Sequence, residues 1–491
     1  MLHRQMLQNL KKELPFELPQ HFTSRFEIKN VPEYYKKQPS SRLFEQQSKL
    51  DKLPVPELNA TLTKYLHSIK PLASTSEYQR TEKIVSEFKS STIGKELHHR
   101  LIEKSHSLEK GWLADYWNNY AYLEWRDACA GNVNFFYHFK DDTRSQLTRA
   151  SCLIREMMGF RQLIINHELE PEMMKDQPLC SHMYNFLFNT TRIPIKPRDE
   201  VAVYDAKKNS HVVVLYRQHI YVIETIVDKN LLSSKDIQHQ LNLIVQQEID
   251  RPLGTGLGAL TSWNRDKWAD TRQLMLKDNL ELFNKLQSAA FSVSLDEHSP
   301  ITLEECAETF LYGNVSNRWF DKSEQLIVCA NGKAGMNNEH SMMDGTINTR
   351  LCDAILTNME HHDQGTTLDC KLKPQKLNFK TSTTVLKRIE EAKKDFKKWS
   401  DPHSIAVMAY YGYGKGFIKQ MKMSPDAFVQ MGLQLAYYKL YSKCNATYES
   451  AQIRKFKFSR TETCRSVSLA SVVFVEACHN TNKTVLFTYI G

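Results

Sequence analysis

The sequence predicts a protein of mixed class, α/β or α+β, because short β-rich runs alternate with long amphipathic helical patterns. Three stretches carry the prediction. Residues 211–226, HVVVLYRQHIYVIETI, are two β-branched and aromatic runs parted by a polar turn around Arg217 to His219. Residues 325–336 read as a second hairpin turning at Asn331-Gly332, a dipeptide suited to turns whose two central residues take positive φ. Over 383–399, Val385, Leu386, Ile389, Ala392 and Phe396 form one apolar stripe against lysines and glutamates.

A chain of 491 residues with 41% hydrophobic residues exceeds what one core usually organises, so two domains are expected. From the N-terminus, residues 1–14 carry Arg4, Lys11 and Lys12 among Leu2, Met6, Leu7, Leu10 and Leu14, with no acid before Glu13. That pattern is similar to a short mitochondrial presequence and also fits a frayed basic terminus. An irregular Gln/Lys-rich stretch reaches residue 52; Leu53-Pro54-Val55-Pro56 then tethers helical patterns that continue to about residue 109. The ten cysteines contain no CxxC pair and no zinc-like spacing, which points to a reducing compartment and no metal site. No stretch approaches the roughly 18 apolar residues of a membrane span, so a soluble protein is expected. The net charge of +9 is spread along the chain, which favours an anionic small ligand over nucleic acid.

Directly after the second hairpin comes Glu339-His340-Ser341-Met342-Met343-Asp344-Gly345. A histidine in a loop leaving a strand can present an imidazole to a cleft, and its near-neutral pKa suits it to deprotonating a hydroxyl or thiol. The HxxxDG pattern occurs in several coenzyme A-dependent acyltransferases, with the Asp, here Asp344, bracing the loop. Alone, the pattern also fits an ordinary loop histidine, as the ligand-like His361-His362-Asp363 illustrates.

Over 411–426, YGYGKGFIKQMKMSPD, three glycines loosen the backbone and Lys415, Lys419 and Lys422 recur at spacings that share a side in a helix. Ser424-Pro425-Asp426 then supplies a cap, a first-position proline and an acidic first turn for a helix beyond. Ammonium groups beside a helix N-terminus suit phosphates, and the same features suit an exposed basic loop. The segment is no Walker A motif, since Lys415 is followed by Gly416.

Together with LPVPEL at 53, GWLADYWNNYAYL at 111, PLC at 178, LTSWNRDKWA at 260, NRWFDKSEQLIV at 317, ATYESAQIRKF at 446 and SRTETCRS at 459, these segments resemble the carnitine/choline acyltransferase family, in its order, from Leu53 to about Ala477. EHSMMDG is most similar to the fungal carnitine acetyltransferase branch. The resemblance implies an α/β fold of two chloramphenicol acetyltransferase-like domains with a substrate tunnel at their interface. It implies an N-terminal extension over 1–52, a helical segment over 53–105 packing with the C-terminal domain, a catalytic domain over 106–382 and a coenzyme A- and carnitine-binding domain over 383–491.

By the same resemblance, His340 is the general base, and Lys415, Lys419, Gln420, Met421, Lys422, Met423, Ser424, Pro425 and Asp426 bind coenzyme A. Tyr448, Ser450, Thr461 and Tyr122 bind carnitine. The expected reaction is reversible transfer of a short acyl group, acetyl first, between coenzyme A and the carnitine hydroxyl, by a monomer without a resident cofactor. A mitochondrial location is expected, with the peroxisome as second address. The family's later segment, with an Arg for the carnitine carboxylate, a Ser-Thr-Ser run and an aromatic wall, is not found here. The expectation is therefore a C-terminally truncated enzyme, with a non-catalytic fragment or a medium-chain carnitine acyltransferase as alternatives.

Overall fold

The computed structural model describes residues 41–108, 111–361 and 372–479. The presequence-like stretch 1–14, His362-Asp363 and the final dozen residues lie outside the described residues. The described residues divide into two compact units, one of residues 51–113 with 408–479, the other of residues 41–50 with 114–407.

The first unit opens with α1 (Leu58–Ile69), α2 (Thr75–Ser90) and α3 (Thr92–Ser107). Ser74 closes a reciprocal cap with Glu77 at the start of α2, and Ser91 accepts from Gly94 N at the start of α3.

The second unit is built on a seven-stranded sheet. Its strands are β1 (Phe135–His138), β2 (Val212–Tyr216), β3 (His219–Ile223), β4 (Ser292–Asp296), β5 (Glu324–Cys329), β6 (Ala334–Asn338) and β7 (Gln375–Lys376), in spatial order β1-β6-β5-β4-β2-β3-β7. The central β2, β4 and β5 are parallel, and the outer pairings are antiparallel. Parallel strands covered on both faces should be apolar throughout, and VVVLY is buried at every position. The period of two then sorts its side chains. Val212 and Val214 join a core with Leu153 and Met157 of α4 (Gln146–Ile165), Ile237 and Leu241 of α5 (Ser234–Glu248) and Ile347 and Leu351 of α7 (Gly345–His361). Val213 and Leu215 point the other way, to Trp268 and Phe283 of α6 (Arg265–Ser288) and to Val385, Ile389 and Phe396 of α8 (Thr383–Ser400). Helices on both faces of a mixed sheet make this an α/β fold.

Both expected hairpins form, but the turn with two positive-φ residues belongs to the first and not to the second. The β2–β3 turn is the two-residue kind, with Arg217 and Gln218 at φ 48° and 67°. At the β5–β6 turn only Gly332 is left-handed, at φ 82°, and Gly332 N bonds to Cys329 O at 2.9 Å. Val328 pairs with Ala334, so the loop is one residue longer than Asn331-Gly332 alone requires and closes as an ordinary turn followed by a left-handed glycine. A Cβ at Gly332 would meet Arg144 O at 2.4 Å.

Helix α8 covers the expected 383–399, but Leu386 lies at the stripe's edge and is exposed. Its other stripe residues fill the sheet's second face, and the unit boundary accordingly falls after Val407, where the sequence places a boundary before residue 383.

The first unit resumes with α9 (Lys415–Gln420), α10 (Pro425–Tyr441), the hairpin β8 (Tyr448–Gln452) and β9 (Thr461–Arg465), and α11 (Leu469–His479), which packs on α10. Lys457 N bonds to Asp51 O at 2.7 Å, tying this part to the segment before α1. No described helix is long and apolar enough to cross a membrane.

Candidate active site

His340 lies in the six-residue connection from the end of β6 to the start of α7. Its neighbour Glu339 turns inward. That carboxylate accepts from Ser341 N at 3.1 Å to each oxygen and from Arg192 Nη1 at 3.2 Å. Holding residues 339 and 341 this way leaves the imidazole between them partly open, with 27% of its side chain exposed.

The ring's two nitrogens face different partners. Nδ1 is 2.7 Å from Met343 O, and since a carbonyl only accepts, Nδ1 carries the hydrogen and Nε2 keeps the lone pair of a neutral imidazole. Nε2 sits 3.5 Å from the Tyr122 hydroxyl, and Phe135 meets the ring edge-on at 4.8 Å. Asp344 Oδ1 is 3.8 Å from Nδ1, too far for a hydrogen bond, so the ring's orienting acceptor is the Met343 carbonyl. The arrangement can take a proton at Nε2 without moving the ring.

Tyr122 reaches this position from a π-helical segment, Trp117–Leu123, whose carbonyl at Tyr122 accepts from Arg192 Nη2 at 2.7 Å. Arg192 is fully buried and also bonds Asp199 Oδ2 through Nε at 2.8 Å. Asp199 is shared further with Arg265 at 2.6 Å and Arg126 at 3.0 Å, and Arg265 reaches Asp321 at 2.6 Å. Burial pushes the Asp199 carboxyl up, but Arg265, Arg192 and Arg126 together hold it below the usual carboxylate range. Asp321 goes the other way, raised by burial despite Arg265. One buried guanidinium thus fixes both the loop of His340 and the backbone of Tyr122.

In the first unit, the hairpin register gathers the other expected residues. Tyr448 pairs with Arg465, Ser450 with Thr463 and Gln452 with Thr461. Directly opposed residues share a face, so Tyr448, Ser450, Thr463 and Thr461 line one side of the hairpin. Glu449 takes the opposite face, where the neighbouring Asp426 carboxyl raises its pKa.

Lys415 and Lys419 are one turn apart on α9, while Lys422 lies past its end with φ 59° and therefore off the expected common side. Ser424 caps α10 by accepting from Ala427 N at 3.4 Å, with Pro425 in the first turn beside Asp426. Lys415, Lys419, Gln420, Met421, Lys422, Ser424 and Asp426 are exposed, and Met423 and Pro425 half-buried.

A separate cavity of about 480 Å³ opens at the carboxyl ends of β2 and β4, bounded by Arg217, Asp296, Glu297 and Glu308, and includes none of these residues. Among the described residues no cluster of His, Cys, Asp and Glu is arranged to hold a metal. Sequence reasoning missed Arg192, Asp199, Phe135 and the Met343 carbonyl; Glu339 and Met343 stood inside the histidine motif, and Arg265 and Asp321 inside other segments of the resemblance, but none was singled out.

The chain matches the Choline/Carnitine o-acyltransferase family over residues 53–487. It is 34% identical over 474 residues to the mitochondrial carnitine O-acetyltransferase of Saccharomyces cerevisiae, covering 91% of this chain and 70% of that protein. It is 34% identical to the human peroxisomal carnitine O-octanoyltransferase, covering 89% and 75%. Human carnitine O-acetyltransferase is 31% identical, with 91% and 74% covered.

Proposed function

The chain belongs to the choline/carnitine o-acyltransferase family, and from that premise we propose that it moves a short-chain acyl group, acetyl first, reversibly between coenzyme A and the hydroxyl of carnitine. The observation that carries the reading is the hydrogen bond from His340 Nδ1 to Met343 O, which leaves the Nε2 lone pair to accept a proton. Nε2 takes the hydroxyl proton as the carnitine oxygen attacks the thioester carbonyl. The C–O bond forms, the C–S bond breaks, and the proton passes to the departing sulfur; the reverse reaction begins with the thiol. Asp344 braces the loop.

Tyr448, Ser450 and Thr461 hold the carnitine carboxylate in this reading, since hydroxyls on one hairpin face offer it several donors. Tyr122 completes the carnitine contacts. The segment from Lys415 and Lys419 through Gln420, Met421, Lys422, Met423, Ser424, Pro425 and Asp426 takes coenzyme A, a co-substrate and not a resident cofactor. The protein works as a monomer on these two small molecules. A mitochondrial address fits the basic stretch 1–14, with the peroxisome second.

The test is carnitine-dependent release of coenzyme A thiol from acetyl-CoA, beside His340→Ala. Loss of the base should lower kcat by roughly 100- to 10,000-fold with little change in either KM. An unchanged kcat would remove His340 from the reaction. A second reading, transfer of a medium-chain group, is favoured by the equal 34% identity to the octanoyltransferase. Competition between acetyl-CoA and octanoyl-CoA decides between the two.

A further inference from the structure

Glu324, the first residue of β5, is fully buried and pairs in register with Asn338, the last residue of β6. Its carboxyl accepts from two carboxamides, Asn348 Nδ2 at 2.6 Å and Asn338 Nδ2 at short range. Asn348 belongs to the first turn of α7. The two carboxamides therefore stand at the two ends of the connection that carries His340, and Glu324 grips both.

The charge state of this grip follows from what surrounds it. Among the described residues no cation pairs with Glu324, and an isolated buried carboxylate is expensive enough that such groups take up a proton instead. Beside it, Asn338 Oδ1 and Asn348 Oδ1 are buried acceptors without a donor. A proton on Glu324, with one carboxamide turned over, makes an O–H···O bond to one of them and leaves the other carboxamide donating as before.

We propose that Glu324 is a positioning residue which, as an uncharged carboxylic acid, ties the end of β6 to the first turn of α7 and so fixes the loop that aims His340. The inference rests on the reading of His340 as base. Burial pushes the Glu324 carboxyl well above the usual range. The titratable groups facing it are Tyr137 from β1 and Cys352 from α7, both kept uncharged, the tyrosine pushed up to about 12 by burial and the thiol also raised by burial.

The experiment compares wild type with Glu324→Gln and Glu324→Ala for kcat, KM and thermal unfolding between pH 5 and 9. Gln reproduces an uncharged acid and should keep kcat within about threefold, whereas Ala, releasing the loop, should lower it about 100-fold at little cost in KM.

The pH dependence has a definite sign. A carboxyl whose folded-state pKa is raised holds its proton in the native chain after the unfolded chain has lost it, so wild type loses stability as pH rises above the ordinary carboxylate value. Gln removes that slope. Its Tm should exceed that of wild type by a margin that grows from pH 5 upward. A margin that stays constant, or a Gln variant as inactive as Ala, overturns the proposal. Should Ala not fold, Asn348→Leu cuts the helix-side tie and should lower kcat in its place; unchanged kcat there also overturns it. An active His340→Ala would defeat the base reading while leaving the pH dependence of the Gln variant to stand on its own.

Discussion

The unit that carries His340 and the unit that carries the hairpin Tyr448–Gln452/Thr461–Arg465 hold the side chains proposed to act in them in opposite ways. In the unit of His340, a seven-stranded sheet is covered on both faces, and Arg192, Asp199, Arg265 and Glu339 are buried in one network beneath the histidine loop. In the unit of the hairpin, the sheet has two strands, Gln434 is the buried residue of α10, and Leu440 of that helix is 75% exposed. Groups fixed before any ligand arrives contribute to folding stability and to the chemical step; groups left at the surface act when a ligand meets them, and so act on affinity. The difference predicts where mutations should be felt.

The largest stability effect should come from Arg192→Met. It leaves Glu339 buried without its cation, takes one of three guanidiniums from Asp199 and releases the Tyr122 carbonyl, a loss of roughly 3–5 kcal/mol for one partner of a buried ion network. Denaturant unfolding measures it. Any folded fraction should also show reduced kcat, because His340 and Tyr122 lose their common support. A cost below about 1 kcal/mol, the range of surface pairs, would put the two units on the same footing and end the comparison.

Next in size is Thr461→Val on the hairpin. Removing one hydroxyl from a carboxylate costs about 1.5 kcal/mol, so KM for carnitine should rise about tenfold with kcat and Tm nearly unchanged. A fall in Tm of several degrees would show Thr461 to be structural, and a change in the KM for acetyl-CoA alone would assign it to the other substrate.

How far the sequence could show this division depends on distance along the chain. Both hairpins and the stripe of α8 were legible because alternation and helical period are local, and Leu386 escaped only because it stands at the margin of its stripe. His340 was legible through the spacing of Asp344 and Gly345. Its actual orienting acceptor was not, since a backbone carbonyl such as that of Met343 has no residue type to announce it. Arg192 had even less to show. Its partners Asp199, Tyr122 and Glu339 lie 7, 70 and 147 residues away, and no motif spans the last two separations. The hairpin residues Tyr448, Ser450 and Thr461 were singled out through resemblance, but that they share a face follows only from a register no pattern in the sequence fixes.

The smallest effect, and the sharpest probe of the exposed unit, belongs to Lys415 and Lys419. Both stand in solvent on a short helix, so each should interact with a phosphate as a surface ion pair does, contributing about 0.2–1 kcal/mol. Lys415→Ala and Lys419→Ala should then each raise KM for acetyl-CoA by about 1.4- to fivefold, leave the KM for carnitine alone, and roughly multiply in the double variant, because neither lysine organises the other. Since such attraction is screened within about 10 Å at 0.1 M salt, raising the ionic strength should shrink the gap between wild type and variant. A penalty near 100-fold that survives high salt would mean instead that the lysines become enclosed with their ligand. Affinity in this unit would then come from ordering on binding, as firmly as the buried arginines of the other unit order it beforehand.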